Sequence, residues 1–370
     1  MKVLMFSTDP AVLIRGSDAH VRMKEYADTL GELHMVVLTR RDENGVYLRN
    51  LFLYPAASLT GALRLFHAWQ IGRILCRRIR FDVISVQSPD EVGIIGLLLA
   101  RRFRTPLQLQ VHTDVYSPWY RRAGWKELLR YRIARFLIPR ANCIRVVSKR
   151  IGHSLGRPGS AVLPIFTDIA SFLSAVPDTR TRERFRNHAF KMISAGRFVE
   201  KEKHFLMPIE MMRHFVKICP TALLVLVGEG PGRKRYESLI RKYGLEKNVI
   251  IEPWRSDLAS FYKSFDLFLL PSNYEGWGRA AIEAMAAGLA VVMTDVGLAG
   301  EVVEDGKNGR VVPVGDGAEF LAAVEDLYKN PEKRKVIAAA GQEAVVVLAP
   351  KTKEEYLALY KRSFFSCVTP

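Results

Sequence analysis

Short apolar runs alternate with longer stretches of helical periodicity along nearly the whole chain. The runs at residues 3–6, 35–39, 82–86, 107–111 and 143–147, then 191–195, 222–227, 249–252, 267–270 and 289–293, are each four to six residues long and mostly β-branched or aliphatic. Between them, residues 18–30, 62–79 and 94–100 repeat apolar side chains at helical spacing. That alternation predicts parallel strands joined by helical crossovers. It occurs once before and once after a polar, charged segment, LSAVPDTRTRERFRNH at 173–188, which reads as a linker. We therefore expect an α/β fold with one domain at 1–172, the linker at 173–188 and a second domain at 189–350. Residues 351–370 carry a last helix with Tyr356, Leu359, Tyr360 and Phe364 on one side.

A chain of 370 residues is too long for a single core of ordinary size, and 49% hydrophobic with 25% charged residues is a globular composition. Charge changes the picture more. The net charge is +17, and between Arg101 and Arg157 fourteen Lys or Arg face two acids, Asp114 and Glu127. Such an excess implies a polyanionic or anionic-surface partner. Within it, residues 119–140 interleave Trp119, Tyr120, Trp125, Leu128, Leu129, Tyr131, Ile133, Phe136 and Leu137 with arginines. An interfacial membrane helix and a core-packing helix with a basic back both fit that pattern. Nucleic-acid binding ranks last, because no recognition motif accompanies the charge. The longest apolar run, 92–100, is far too short to span a bilayer, and the opening MKVLMFSTDP reads as a strand rather than a signal peptide. Four scattered cysteines, Cys76, Cys143, Cys219 and Cys367, are expected to be free, mostly buried thiols in a reducing cytosol.

Candidate chemistry collects where strands end and glycines follow. The stretch SNYEGWGRAAIEAMAAG at 272–288 reads as a loop opening a short helix between two strands, with Glu275 in the loop and Glu283 in the helix. Gly276 and Gly278 bracket the bend, and the free N–H groups and dipole of the helix start suit a phosphate or sugar hydroxyl. A plain turn with solvated glutamates is the alternative. Arg197 and Lys203 follow the first strand of the second domain, where a guanidinium fork and an ammonium can meet a diphosphate; Lys201 is the substitute for Lys203. Gly228 and Gly230 form a second glycine-rich turn, open to a ligand contact or to a simple turn role. Gly16 sits at the first strand-to-helix turn and His112 just beyond a strand end, where open α/β sheets bind ligands; for His112 a loop hydrogen bond is an equal alternative. Trp254 ends a strand in Pro253-Trp254-Arg255. No Asp-x-Asp pair occurs, so the diphosphate clamp through a divalent metal has no sequence signature here.

The run EGWGRAAIEAMAAGLAVV, followed by TDVGLAGEVVEDGKNGRVVPVGD, resembles retaining glycosyltransferase family 4, whose paired glutamates stand in the pattern E-G-aromatic-G-x-x-x-x-E-A-M-A-x-G. The resemblance covers nearly the whole chain and is strongest over 192–316. It implies a GT-B fold: two Rossmann-like, doubly wound parallel-sheet domains facing across a cleft, with the last helix crossing back onto the first domain. It also implies a nucleotide-sugar donor, such as a UDP- or GDP-sugar, with no metal and no other cofactor. Glu283 would bind ribose hydroxyls and Glu275 sugar hydroxyls. Gly276, Trp277, Gly278 and Arg279 would surround the sugar or β-phosphate, Arg197 and Lys203 the departing diphosphate, and His112 the donor from the other side. Gly16, Gly228, Gly230 and Trp254 would line the nucleotide and phosphate positions. The acceptor would be a glycan or a polyprenyl-diphosphate-linked glycan, met by a cytoplasmic protein with peripheral attachment to the inner membrane face left open. The alternatives are an epimerase or hydrolase of sugar nucleotides on the same fold, or a non-catalytic protein that binds anionic surfaces through 101–157.

Overall fold

The computed structural model describes residues 1–40, 44–348 and 350–368. The chain forms two units: Met1–Pro164 together with Thr352–Pro370, and Ile165–Lys351. Residues 369 and 370, the end of the expected 351–370 segment, and residue 349 of the expected second domain lie outside the described residues.

The first unit is built on eight strands: β1 (Lys2–Ser7), β2 (Glu32–Thr39), β3 (Val46–Tyr47), β4 (Leu51–Ala57), β5 (Val83–Val86), β6 (Leu107–Val111), β7 (Cys143–Val146) and β8 (Ala161–Val162). Their order is β3-β4-β2-β1-β5-β6-β7-β8, parallel except where β3 pairs antiparallel with β4. Chain order reverses between β1 and β5, so their carboxyl ends flank a crevice of the kind that open α/β sheets use for ligands. The final helix, Lys353–Val368, packs here: Tyr360 stacks on Tyr26 of the helix Asp18–Leu30 with ring centroids 3.9 Å apart.

The second unit holds β9 (Phe190–Ala195), β10 (Ala222–Val227), β11 (Val249–Glu252), β12 (Leu267–Leu270), β13 (Ala290–Thr294) and β14 (Arg310–Val312), all parallel, in the order β11-β10-β9-β12-β13-β14. Its reversal lies between β9 and β12. β10 reads ALLVLV because both faces are covered, and all six residues are buried. Phe190, Phe198, Phe205, Phe215 and Tyr236 fill the core around it.

Three sequence expectations need correction. The stretch 173–188 is not a free connector: it carries the helix Thr179–Arg184, and the second unit begins at Ile165 rather than at 189. Its polarity arises because a short surface helix contributes only Thr181 to the interior of the chain. The stretch 119–140 is two helices, Pro118–Arg122 and Trp125–Leu137, separated at Gly124. Of its apolar residues Leu137 is buried, whereas Trp125, Leu128, Leu129 and Phe136 are exposed. Cys143 and Cys367 are not free thiols but a disulfide joining β7 to the helix Lys353–Val368, with Cα atoms 5.1 Å apart; among the described residues Cys76 and Cys219 are free. No helix among the described residues is long and apolar enough to cross a membrane.

Candidate active site

At the carboxyl edge of the second sheet, loops after β9 and β12 bring opposite charges together. The loop after β9 turns into the four-residue helix Glu200–Lys203, and the loop after β12 carries Glu275. Lys203 Nζ donates to Glu275 Oε1 at 2.6 Å and lies 3.5 Å from Glu202. Ser272 Oγ donates to the same Glu275 oxygen at 2.8 Å. The two loops are also stitched through backbone, Asn273 N donating to Glu202 O at 2.8 Å. Glu275 is buried, so its charge requires these partners. Burial opposes the Lys203 ammonium, but Glu275 and Glu202 outweigh it and hold the lysine above its ordinary range. Lys203 is thus part of this buried charge cluster, whereas Lys201 is exposed.

Arg197 stands apart from that pair. Its guanidinium donates to both Glu202 oxygens at 3.3 Å while the side chain stays 74% exposed. It is an exposed cation on the rim, and an exposed ion pair of this kind contributes little to stability.

The helix Arg279–Ala286 starts at Gly278, which has φ +95° and provides no side-chain cap. A Cβ there would meet Leu298 Cδ2 at 2.9 Å, so packing as well as backbone conformation requires glycine. The helix start thus presents uncapped backbone donors beside the loop. Trp277 is buried with its ring inside, which leaves its backbone as the part able to meet a ligand. One turn on, buried Glu283 accepts from Arg279 Nε at 2.9 Å. Burial pushes the Glu283 carboxyl up, and Arg279 only partly offsets it.

The glycine-rich turn after β10 serves the site from behind. A Cβ on Gly228 would come 1.9 Å from Gly196 O, and one on Gly230 would come 2.8 Å from Phe198 O. Phe198 N donates to Glu229 O at 2.7 Å and Gly232 N to Phe198 O at 2.9 Å, so the turn is laced to the loop carrying Arg197. Trp254, beyond β11, is 55% exposed. Among the described residues no cluster of His, Cys, Asp and Glu has the makings of a metal site.

In the first unit, Gly16 has φ +81° and open space where a Cβ would be, in the loop between β1 and its helix. His112 follows β6 and its Nε2 lies 3.2 Å from Arg145 Nη1. Burial first, then Arg145 and Arg22, push the imidazole down to about 3. Asp114 is committed to local structure, accepting from Tyr116 N and Ser117 N at 3.1 Å each. Arg145 was not legible as a site residue, since an arginine inside the apolar run 143–147 carries no motif.

Two doubly wound parallel sheets, with a paired ammonium and carboxylate beside an uncapped helix start, define a two-unit protein of Rossmann-like architecture. The model for glycosyl transferases group 1 matches residues 176–344, and the glycosyl transferase 4-like domain matches residues 15–161. The chain belongs to the glycosyltransferases of this family, with the GT-B fold. It is 25% identical over 386 residues to the alpha-monoglucosyldiacylglycerol synthase of Acholeplasma laidlawii, covering 96% of this chain and 94% of that one. Sucrose-phosphate synthase from Thermosynechococcus elongatus superposes with a TM-score of 0.78 at 20% identity, over 99% of this chain and 100% of the other. Anabaena Alr3699/HepE in complex with UDP-glucose superposes with a TM-score of 0.73 at 19% identity, over 99% of both.

Proposed function

We propose that this glycosyltransferase moves a sugar from a nucleotide sugar to a glycan or lipid-linked glycan, retaining the anomeric configuration and using fixed protein cations in place of a metal. The observation that carries the proposal is the buried Lys203–Glu275 pair beside the uncapped start of Arg279–Ala286. In this reading Lys203 and Arg197 take the charge that builds on the departing diphosphate, where preorganised donors lower the barrier most. Arg197 exchanges Glu202 for phosphate when donor arrives. Glu275 accepts from sugar hydroxyls and Glu283 from ribose hydroxyls, while backbone N–H groups of Gly276, Trp277 and Gly278, with Arg279 beside them, hold the sugar or β-phosphate. Gly228 and Gly230 keep the phosphate loop in register and Trp254 serves the nucleobase; within the first unit, Gly16 and His112 are the ligand contacts. The likeness to a protein solved with UDP-glucose supports a UDP-sugar as the first donor to try.

The acceptor reading rests on the first unit. Trp125, 71% exposed, with Leu128, Leu129 and Phe136, forms an apolar surface on the helix Trp125–Leu137, and Lys126, Arg132 and Arg135 are exposed beside it. An amphipathic, cationic helix of this kind favours an anionic membrane surface and a lipid-linked acceptor. Similarity to a synthase named for a diacylglycerol glycolipid supports the same reading. Arg130 is excluded from that face, because it pairs with Glu91 at 3.1 Å.

The deciding experiment incubates the purified chain with UDP-sugars and GDP-sugars, lipid-linked or glycan acceptors, and a chelator. Transfer that survives chelation and gives a product of unchanged anomeric configuration by NMR supports the proposal. An inverted product, or activity abolished by the chelator, defeats it. Free sugar released at full rate without acceptor makes the protein a hydrolase instead.

A further inference from the structure

Arg145 lies on β7 with 2% of its surface exposed, and no carboxylate pairs with it among the described residues. Its neighbours are neutral. Nη1 donates to Gln110 Oε1 at 2.9 Å and to His112 Nε2 at 3.2 Å, and Nη2 donates to Leu163 O and Tyr356 OH at 3.1 Å each. The guanidinium also sits over the ring of Tyr360, 5.2 Å from its centroid. Nε has no hydrogen-bond partner. A buried cation without a counter-charge is costly to fold around, and hydrogen bonds to neutral acceptors compensate it only in part. The frame that holds it is nonetheless elaborate: Gln110 Nε2 donates to Ser85 Oγ at 2.9 Å and Tyr360 OH at 3.3 Å, and Gln108 Nε2 donates to Ser363 O at 3.0 Å.

We infer that Arg145 is a positioning residue for sugar transfer, locking His112 as a neutral imidazole with its proton on Nδ1 so that it serves as an N–H donor and never as a general base. The inference rests on the ligand-contacting role proposed for His112. Its chemistry follows from the geometry: a guanidinium can only donate, so Nε2 must accept, and a neutral ring then carries its proton on Nδ1. An imidazolium in the same place would set N–H against N–H and cation against cation. Positive charge from Arg145 also polarises the Nδ1–H through the ring, which would strengthen its bond to an anionic or hydroxyl group of a ligand. The charged groups facing His112 are Arg145 from β7 and Arg22 from Asp18–Leu30. Tyr26, Tyr356 and Tyr360 lie behind Arg145. No carboxylate is among the groups that shift His112, and none counteracts the cations.

The test uses the full chain labelled with 15N-histidine, with the His112 signals assigned by His112→Gln. We expect the wild-type ring to show protonated Nδ1 and bare Nε2, without titrating between about pH 5 and pH 8, although an ordinary imidazole would. In Arg145→Gln the His112 signals should begin to titrate at a higher pH than in the wild type, with burial and Arg22 still holding them below the ordinary imidazole range, and kcat/KM for transfer should gain an acidic limb at the same pH. Arg145→Lys, which keeps the charge, should leave the ring neutral; it is also the variant to measure if the glutamine protein fails to fold. A wild-type ring that titrates in the interval or carries its proton on Nε2 overturns the inference, as does Arg145→Gln with an unchanged kcat/KM profile. The NMR reading needs no turnover, so loss of the transferase proposal would leave the Arg145–His112 link separately measurable.

Discussion

Replacing Lys203 by Met removes one charge and little volume from the carboxyl edge of the second sheet, and the structure fixes what should follow. Glu275 would keep only the Ser272 Oγ bond at 2.8 Å, having lost the ammonium at 2.6 Å. Breaking a buried pair from one side costs about 3–5 kcal/mol, and the surviving hydroxyl bond and the part-exposed lysine place this case nearer 2–3. A domain of this size loses roughly 2–4 °C of melting temperature per kcal/mol, so a fall of about 4–12 °C is expected by scanning fluorimetry. Turnover should fall further than stability explains. Loss of one preorganised donor to the departing diphosphate costs about 100-fold to 1000-fold in kcat, equivalent to roughly 2.7–4 kcal/mol. Adding Glu275→Gln should restore much of the melting temperature, because the stranded charge is gone, but none of the turnover. A Lys203→Met enzyme with kcat within threefold of wild type would refute the role of Lys203 in leaving-group stabilisation. Unchanged melting would refute the burial argument.

Further expectations concern other parts of the chain. Glu283 binds ribose hydroxyls best as a carboxylate, and burial raises the pH at which it protonates, so nucleotide affinity measured by calorimetry should fall on acidification, beginning above the ordinary value of 4.5. In Glu283→Gln that dependence should vanish and affinity should drop about 10-fold to 100-fold, the worth of one or two charge-assisted bonds. Gly228→Ala drives a methyl into Gly196 O and should abolish soluble expression, whereas Gly16→Ala, with φ +81° but open space, should cost only about 1–2 kcal/mol in denaturant titration. Reversing Arg132 and Arg135 to Glu should weaken sedimentation with anionic vesicles by at least about 30-fold, given about 1 kcal/mol per surface cation, and leave sedimentation with neutral vesicles unchanged.

The parallel strands were legible because burial on both faces writes them as unbroken apolar runs, β10 most plainly. β4 was not, since Pro55 interrupts LFLYPAA; it is tolerated because β4 has only the two-residue β3 on its outer side. The candidate site was legible where side-chain type and glycine spacing coincide, as at Glu275, Gly278 and Glu283. Periodicity could not show that Leu128, Leu129 and Phe136 face outward, because a stripe of apolar residues looks alike whether it meets a core or solvent. Nor could it show that Arg145 and His112 meet, because that contact joins adjacent strands whose register only the sheet defines.

The last helix has a consequence for how the chain comes to be. The eight-stranded sheet is assembled from two pieces of sequence separated by the whole of Ile165–Lys351. Translation delivers the first piece before Ile165–Lys351, and Tyr356 and Tyr360, which close over Tyr26 and Arg145, only after it. The six-stranded sheet can finish while the other still waits, with a bare arginine in its interior, for its sixteen-residue cover.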